Sequence, residues 1–224
     1  MLCLAIDTST PTLVAGIVDT AHGELAVQLV RDCRKHNEVL IPTIHDCAAR
    51  AGCTLPDLDA IVVGCGPGPF TGLRVGMATA AALGDALGIP VHGVVSHDAI
   101  AQQLIDAASP PSSLLVATDA RRREVYWSRY RDGQRSIGPE VHAPAHVAEL
   151  LQDDPVEVLN CPAHIELSAT ARRVDISPTP ASLVAVAEWG REPEPLVPLY
   201  LRRPDAVEPA PRPLSPAIPD INLG

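Results

Sequence analysis

The sequence lacks the features of several common protein classes. No stretch approaches the roughly 20 uninterrupted apolar residues of a membrane span, and the amino terminus does not resemble a signal peptide. Cationic residues are scarce, since 17 lysines and arginines stand against 27 aspartates and glutamates, a formal net charge of −10. Affinity for the phosphate backbone depends on clustered cations, so this balance argues against broad direct binding to nucleic acid. We therefore expect a cytoplasmic protein that does not contact membranes.

The six cysteines lack the spacing of a metal site or a disulfide framework. They are scattered, never form a CxxC pair, and mostly lie within apolar runs. Structural zinc ligands usually come in closely spaced pairs, and disulfide frameworks belong to shorter, cysteine-dense secreted chains. With 46% hydrophobic residues, the chain can bury a real core. The sequence therefore predicts a globular protein with reduced cysteines inside it.

Hydrophobic periodicity predicts an α/β fold for the first half of the chain. Short apolar or alternating runs indicate strands, and an apolar residue at every third or fourth position indicates a helix. The predicted order is three strands, a helix, a strand and a helix. The strands are Leu2–Asp7, Thr12–Asp19, Glu24–Arg31 and Ala60–Cys65, and the helices are Asn37–Ala51 and Thr71–Leu87.

The second half repeats this pattern. LLVATD, ending at Asp119, resembles LCLAID, ending at Asp7, and the two lie 112 positions apart, half the length of the chain. This similarity indicates an internal duplication of one supersecondary unit. We expect subdomains at residues 1–108 and 109–203, followed by a flexible, proline-rich tail at 204–224. The second copy is predicted to contain strands Leu114–Asp119, Glu124–Tyr130 and Pro155–Leu159, and helices near Pro144–Leu151 and Pro180–Trp189.

A glycine-rich segment, GCGPGPFTGLRVGMATAAALG, joins a predicted strand to a helix at residues 64–84. A glycine loop before a helix can hold a phosphate, but neither GxxxxGK[ST] nor GxGxxG is present. Small residues also recur at every fourth position of the helix, which favours the close approach of another backbone. That backbone could belong to a partner chain or to this chain's own core. The small residues are Gly72, Gly76, Ala80, Gly84 and Gly88.

Two polar segments could bind a ligand. Asp7, Thr8 and Ser9 lie at the end of the first strand and in the turn after it, where actin-like and sugar-kinase-like ATPases bind phosphate, but the glycine that lets a backbone approach phosphate is missing. A local Asx or Ser/Thr turn is the favoured interpretation. The segment DARRREVY places three arginines and Glu124 in one turn. This turn is either a solvated surface or a specific contact, because arginine can hold a carboxylate or phosphate with two hydrogen bonds. The arginines are Arg121, Arg122 and Arg123.

The histidines form no convincing metal or nucleophilic site. Ser96, His97 and Asp98 are sequence neighbours, whereas the members of a catalytic triad converge from separate elements. We interpret Ser96 as the N-cap of a helix over Asp98–Ala107.

Four segments together resemble the TsaB (YeaZ) family: AIDTST, GPGPFTGLRVG, DARRREVYW and PLYLRRP. The resemblance covers about residues 1–203. It implies a duplicated actin-like/Hsp70-like/sugar-kinase (ASKHA, ribonuclease H-like) fold with two subdomains. It also implies a function in tRNA modification, in which such proteins pair with the catalytic subunit TsaD and the ATPase TsaE. The complex transfers a threonylcarbamoyl group to N6 of the adenosine next to the anticodon of tRNAs reading codons that begin with A.

The resemblance implies an accessory subunit that pairs with and activates TsaD. The chain should have no catalytic residue or metal site and bind no cofactor alone, while ATP and a divalent metal act on the partner subunits. It should form a homodimer when alone and reach tRNA only through the complex. An autonomous ATPase or kinase of the same fold and a homodimeric scaffold are the alternatives. The implied partner interface consists of Leu40, Ile44, Cys47, Ala48, Gly72, Val75, Gly76, Thr79, Ala80, Leu83 and Gly84, and a nucleotide or partner contact is possible at Asp7, Thr8, Ser9, Arg121, Arg122, Arg123 and Glu124.

Overall fold

Two five-stranded sheets with the same strand order form the framework of the protein. The computed structural model describes residues 1–202, and the predicted tail at 204–224 lies outside them. In each sheet the first three strands form an antiparallel meander, and two further strands extend it in parallel on the other side of the first strand. The predicted α/β duplication is therefore confirmed.

The first sheet has the order β3-β2-β1-β4-β5, and the second has the order β8-β7-β6-β9-β10. The strands of the first sheet are β1 Leu2–Asp7, β2 Leu13–Asp19, β3 Gly23–Val30, β4 Ala60–Gly64 and β5 Val91–Val94. Those of the second are β6 Ser113–Asp119, β7 Val125–Arg131, β8 Gln134–His142, β9 Val158–Asn160 and β10 Arg172–Val174.

Within residues 1–202, four α-helices and one short 3-10 turn, Leu55–Asp57, connect these strands, and a fifth α-helix follows the last strand. Glycines in the left-handed conformation end the first two helices, as helix C-termini favour: Gly52 ends α1 and Gly88 ends α2. The helices are α1 His36–Ala51, α2 Phe70–Leu87, α3 Ser96–Ile105, α4 Pro144–Asp153 and α5 Pro180–Ala185.

Apolar residues cover both faces of the first sheet. Because side chains alternate along a strand, Leu4 and Ile6 of β1 pack against α1 and α2, whereas Cys3 and Ala5 pack against α3 and α5. Both faces of β1 are fully buried. All six cysteines are free thiols, as predicted, and five of them are buried.

Three details differ from the sequence predictions. Strands β5, β8 and β10 were not predicted, because they are short or largely exposed and carry weak apolar periodicity. Helix α5 ends at Ala185 instead of Trp189, whose indole donates a hydrogen bond to the carbonyl of Val184 (3.1 Å). Ser96 is not an N-cap: Val95 is, and Ser96 begins α3 with its side chain buried.

Candidate functional site

The polar turn after β1 lies where several elements of the first half meet. Strands β1, β4 and β5 are parallel, so their carboxyl ends share one edge of the sheet, and α2 and α3 begin beside that edge. In open α/β sheets this edge is the usual position of a ligand site. Here the turn residues Asp7, Thr8 and Ser9 are buried, with at most 2% of their surface exposed.

Asp7 forms the predicted Asx turn. Its Oδ1 accepts hydrogen bonds from the Ser9 amide (2.7 Å) and the Ser9 hydroxyl (2.6 Å). Its Oδ2 has no hydrogen-bond partner among the described residues and lies against Gly64, where a Cβ would collide with it. Burial raises the pKa of Asp7, and the hydrogen bonds from the Ser9 hydroxyl and amide only partly oppose this. The carboxyl group is therefore held in a site that favours its neutral form.

The side chain of Thr8 packs against the first two turns of α2. Its hydroxyl donates to the carbonyl of Gly72 (2.7 Å) and accepts from the amide of Gly76 (3.1 Å). A Cβ on Gly72 would come within 2.5 Å of the Thr8 carbonyl oxygen, and a Cβ on Gly76 would collide with the Thr8 hydroxyl. The chain's own turn thus fills the space beside the glycine loop. Other residues of this chain enclose Asp7, Thr8 and Ser9, so these three residues present no exposed surface to a nucleotide.

The small residues of α2 pack against other parts of this chain. Of the two explanations for their spacing, a partner chain or this chain's own core, the structure supports the core. Gly76, Ala80 and Gly84 are buried, and a Cβ on Gly84 would collide with Val91 of β5. The close approach is therefore to β1, β4 and β5 of the same molecule. These three positions are covered by other residues of this chain, and Gly72 is only half-buried.

The four α1 residues of the implied interface also face inward. Leu40, Ile44, Cys47 and Ala48 are at most 3% exposed, and the first three belong to the core between α1, α2 and the first sheet. An amphipathic helix of a globular protein packs its apolar stripe against the core, so these four positions stabilise the fold of this chain. The half-exposed members of the predicted set are Val75, Thr79 and Leu83.

The outer face of α1 and α2 carries a different apolar surface. A shallow groove lies between the two helices, and ten consecutive residues of α2, 75–84, carry no charge. Ile41 lies on this face and is 42% exposed. The predicted interface set does not include it, because Ile41 lies outside the buried apolar stripe of α1. We call this surface the outer face, lined by Ile41, Ala78, Thr79, Ala82 and Leu83.

The arginine turn connects β6 and β7. Arg121, Arg122 and Arg123 are exposed, and each has a positive φ, at 60°, 52° and 60°. Left-handed backbone is unfavourable for residues other than glycine, so neighbouring contacts must hold this turn. The carboxylate of Asp119 accepts from the Arg121 amide (2.6 Å), and Glu124 forms an ion pair with Arg202. The turn therefore presents three cationic side chains from a fixed backbone.

The glycine segment, the arginine turn and the carboxyl-terminal PLYLRR segment converge in space. Tyr200 packs on Phe70 at the start of α2, with ring centroids 4.8 Å apart. Two residues later, Arg202 donates to the carbonyl of Ala120 (3.1 Å), at the edge of the arginine turn. These three segments, which carry the family resemblance together with AIDTST, thus form one contact region at the surface.

His97, which the sequence analysis rejected as part of a nucleophilic site, is a buried polar residue with a structural role. Its imidazole is fully buried between α3 and the second sheet, with Nδ1 2.9 Å from the Ser128 hydroxyl and Nε2 2.9 Å from the Thr118 hydroxyl. Burial, and to a smaller extent Arg135, lowers the pKa of His97 to about 3. The ring is therefore neutral at ordinary pH and links the two halves of the protein.

Within residues 1–202, no group of three or more His, Cys, Asp or Glu residues has the geometry to hold a metal ion. In the same part of the chain, no helix has the length and apolar character to cross a membrane.

Comparisons with known proteins identify the family. The family model described as TsaD, tRNA N6-adenosine threonylcarbamoyltransferase, matches residues 31–185. The tRNA threonylcarbamoyladenosine biosynthesis protein TsaB of Escherichia coli is 33% identical over 161 residues, which cover 68% of this chain and 67% of that protein. This chain belongs to the TsaB (YeaZ) family.

Two further similarities agree with this assignment. An uncharacterized protein of Mycobacterium tuberculosis is 53% identical over 209 residues, covering 91% of this chain and 92% of that one. The solved structure of YeaZ from Pseudomonas aeruginosa superposes with a TM-score of 0.62 at 23% identity, covering 82% of this chain and 89% of the other. At that identity the structure of YeaZ supports the fold, and the duplicated sheets of this TsaB-family chain agree with it.

Proposed function

We propose that this chain is the accessory, non-catalytic subunit of a complex that makes threonylcarbamoyladenosine in tRNA. Membership of the TsaB family supports a role in tRNA threonylcarbamoyladenosine biosynthesis. In this proposal the chain pairs with a TsaD-like catalytic subunit, and a TsaE-like ATPase joins them. The complex transfers the threonylcarbamoyl group to N6 of the adenosine next to the anticodon of tRNAs that read ANN codons.

The observation that carries this proposal is the outer face of α1 and α2. A surface that combines an exposed Ile41 with an uncharged run along α2 is typical of a protein interface, because charged residues are depleted at interface centres. The TsaD-like subunit binds here in the complex. A second copy of this chain occupies the same face when the catalytic subunit is absent.

The buried turn after β1 supports a non-catalytic role. Thr8 fills the groove beside the glycine loop, and Asp7 is enclosed in a site that favours its neutral form. In this proposal, ATP and a divalent metal act on the partner subunits. This chain contributes binding free energy that favours the active arrangement of its partner.

The charge of the chain supports indirect contact with tRNA. Its net charge of −10 opposes general attraction to the phosphate backbone, although the arginine turn concentrates three cations at one place. The turn contacts an acidic surface of the partner protein, and tRNA reaches this subunit only within the complex.

The test is reconstitution of threonylcarbamoyl transfer to unmodified tRNA. The reaction contains ATP, threonine, bicarbonate, a threonylcarbamoyl-adenylate synthase and the cognate TsaD-like and TsaE-like proteins, with and without this chain. Product that depends on this chain is the expected result. Equal product without it would contradict the accessory role.

A further inference from the structure

The carboxyl-terminal part of the described chain crosses from the first sheet to the arginine turn. We call residues 196–202 the strap. At its beginning, Leu196 packs over Gly93 of β5 and joins the main core. Further along, the amide of Leu199 donates to the carbonyl of Cys65, just after β4 (2.9 Å). The strap is therefore attached to the first half of the molecule by both apolar and backbone contacts.

The middle of the strap is attached to the start of α2. Arg74 Nε donates to the Tyr200 hydroxyl (3.1 Å), and the Arg74 guanidinium lies 3.7 Å from the centroid of the Phe70 ring. Phe70 in turn packs against the Tyr200 ring. Each of the three side chains contacts the other two, which restricts Tyr200 to one orientation.

The end of the strap is attached to the second half of the molecule. Arg202 donates to the carbonyl of Ala120 through Nη1 and pairs with the Glu124 carboxylate through Nη2. Ala120 and Glu124 are the residues immediately before and after the three left-handed arginines, and the Ala120 amide donates to the Glu124 carbonyl (3.0 Å). One guanidinium therefore spans the base of the arginine turn, and its charge strengthens both contacts.

We infer that Arg202 is a positioning residue: through the strap it holds the Arg121–Arg123 turn in the orientation that the catalytic partner recognises. This inference rests on the proposed function. Three consecutive left-handed residues are costly for an unsupported turn, and the strap supplies support from the other half of the molecule. A pre-organised turn loses less conformational entropy when the partner binds, so releasing Arg202 should weaken binding without removing any contact residue.

The first arm of the experiment measures hydrogen exchange of the isolated full chain. In Arg202→Met, the amides of Ala120 and Glu124, which are hydrogen-bonded within the turn, should exchange several-fold faster. The double variant Arg202→Glu/Glu124→Arg should restore slow exchange only in part, because it re-forms the ion pair in reverse but a carboxylate at position 202 cannot donate to the Ala120 carbonyl. Arg191→Met is the matched control, because Arg191 is exposed and pairs only with Glu188 three residues away among the described contacts. Unchanged exchange in Arg202→Met would overturn the inference.

The second arm measures the dissociation constant for the cognate TsaD-like subunit. Arg202→Met should weaken binding about tenfold, whereas Arg191→Met should not change it. In a variant with Arg121, Arg122 and Arg123 all replaced by Ala, adding Arg202→Met should have no further effect, because Arg202 acts through that turn. Additive losses, or equal affinity of Arg202→Met and wild type, would overturn the positioning role. Failure of the wild-type chain to bind would instead contradict the proposed function, while the exchange arm would still report whether Arg202 holds the turn.

Discussion

The hydroxyl of Thr8 accepts a hydrogen bond from the amide of Gly76 at 3.1 Å, across the interface between the turn after β1 and helix α2. The same hydroxyl donates to the carbonyl of Gly72, so one small side chain bridges two glycines of the helix. A helix can approach the turn this closely only where it has no Cβ atoms. This relationship explains why a helix that carries several glycines is nevertheless stable in this fold.

We expect Gly76→Ala to lower the free energy of unfolding by about 1–3 kcal/mol, because its new methyl group would collide with the Thr8 hydroxyl. Helix propensity alone would favour alanine by about 1 kcal/mol, so the sign of the change separates the two effects. Urea denaturation measures it. The double variant Thr8→Ala/Gly76→Ala should recover part of the loss, because the colliding oxygen is removed. A Gly76→Ala protein as stable as wild type would contradict the packing described here.

We expect Ala82→Glu to abolish binding of the cognate TsaD-like subunit while leaving the melting temperature almost unchanged. Ala82 is exposed on the outer face, so a charge there costs little in the free chain but would be buried in a complex. Ala107→Glu is the control, because Ala107 is also exposed but follows α3. Analytical ultracentrifugation of the mixed proteins measures the association. Full binding by Ala82→Glu would exclude the outer face as the interface.

We expect Asp7→Asn to be at least as stable as wild type at pH 7.5, by up to about 1 kcal/mol, because Asn is neutral and keeps the oxygen that accepts from Ser9. Since burial raises the pKa of Asp7 in the folded state, the stability contributed by its neutral carboxyl is complete below about pH 3.8 and is lost as the pH rises through that raised pKa. The advantage of Asn should therefore disappear at low pH.

Asp7→Asn also tests whether Asp7 is a catalytic or nucleotide-binding carboxylate. In the reconstituted transfer reaction we expect its activity to equal that of wild type and of Asp85→Asn, a control at an exposed position of α2. A large loss of activity in Asp7→Asn with an intact fold would favour a catalytic or nucleotide-binding carboxylate.

We expect His97 to make folding sensitive to acid. Its folded-state pKa of about 3 lies below the usual value near 6.5, so the unfolded chain binds a proton that the folded chain does not. Its contribution to stability is complete above about pH 6.5 and falls as the pH decreases towards 3, by at most about 1.4 kcal/mol per pH unit. Chemical denaturation at several pH values should show a weaker pH dependence for His97→Gln than for wild type. The exposed His45→Gln should behave as wild type.

The sequence predicted much of the fold because the predicted elements carry strong periodic signals. β1, β2 and β4 are continuous buried runs, and α1 and α2 have clear apolar stripes that end at glycines. The duplication was visible because β1 and β6 both end in Asp. The predicted interface set stays a prediction, although its members on the buried stripes of α1 and α2 pack within this chain. A stripe shows which residues avoid water, but not whether the molecule's own sheet or a partner covers them.

The sequence by itself determined the α/β class, the internal repeat, the family and the local turn at Asp7, because each depends on residues close together in the chain or on whole motifs. Only the tertiary structure decided which elements pack against the small residues of α2, that Thr8 fills the space beside them, and that Arg202 contacts the arginine turn. These contacts join residues separated by 68 positions for Thr8 and Gly76, and by 82 positions for Ala120 and Arg202. Such pairings are set by how packed sheets and helices come together, which local periodicity does not encode.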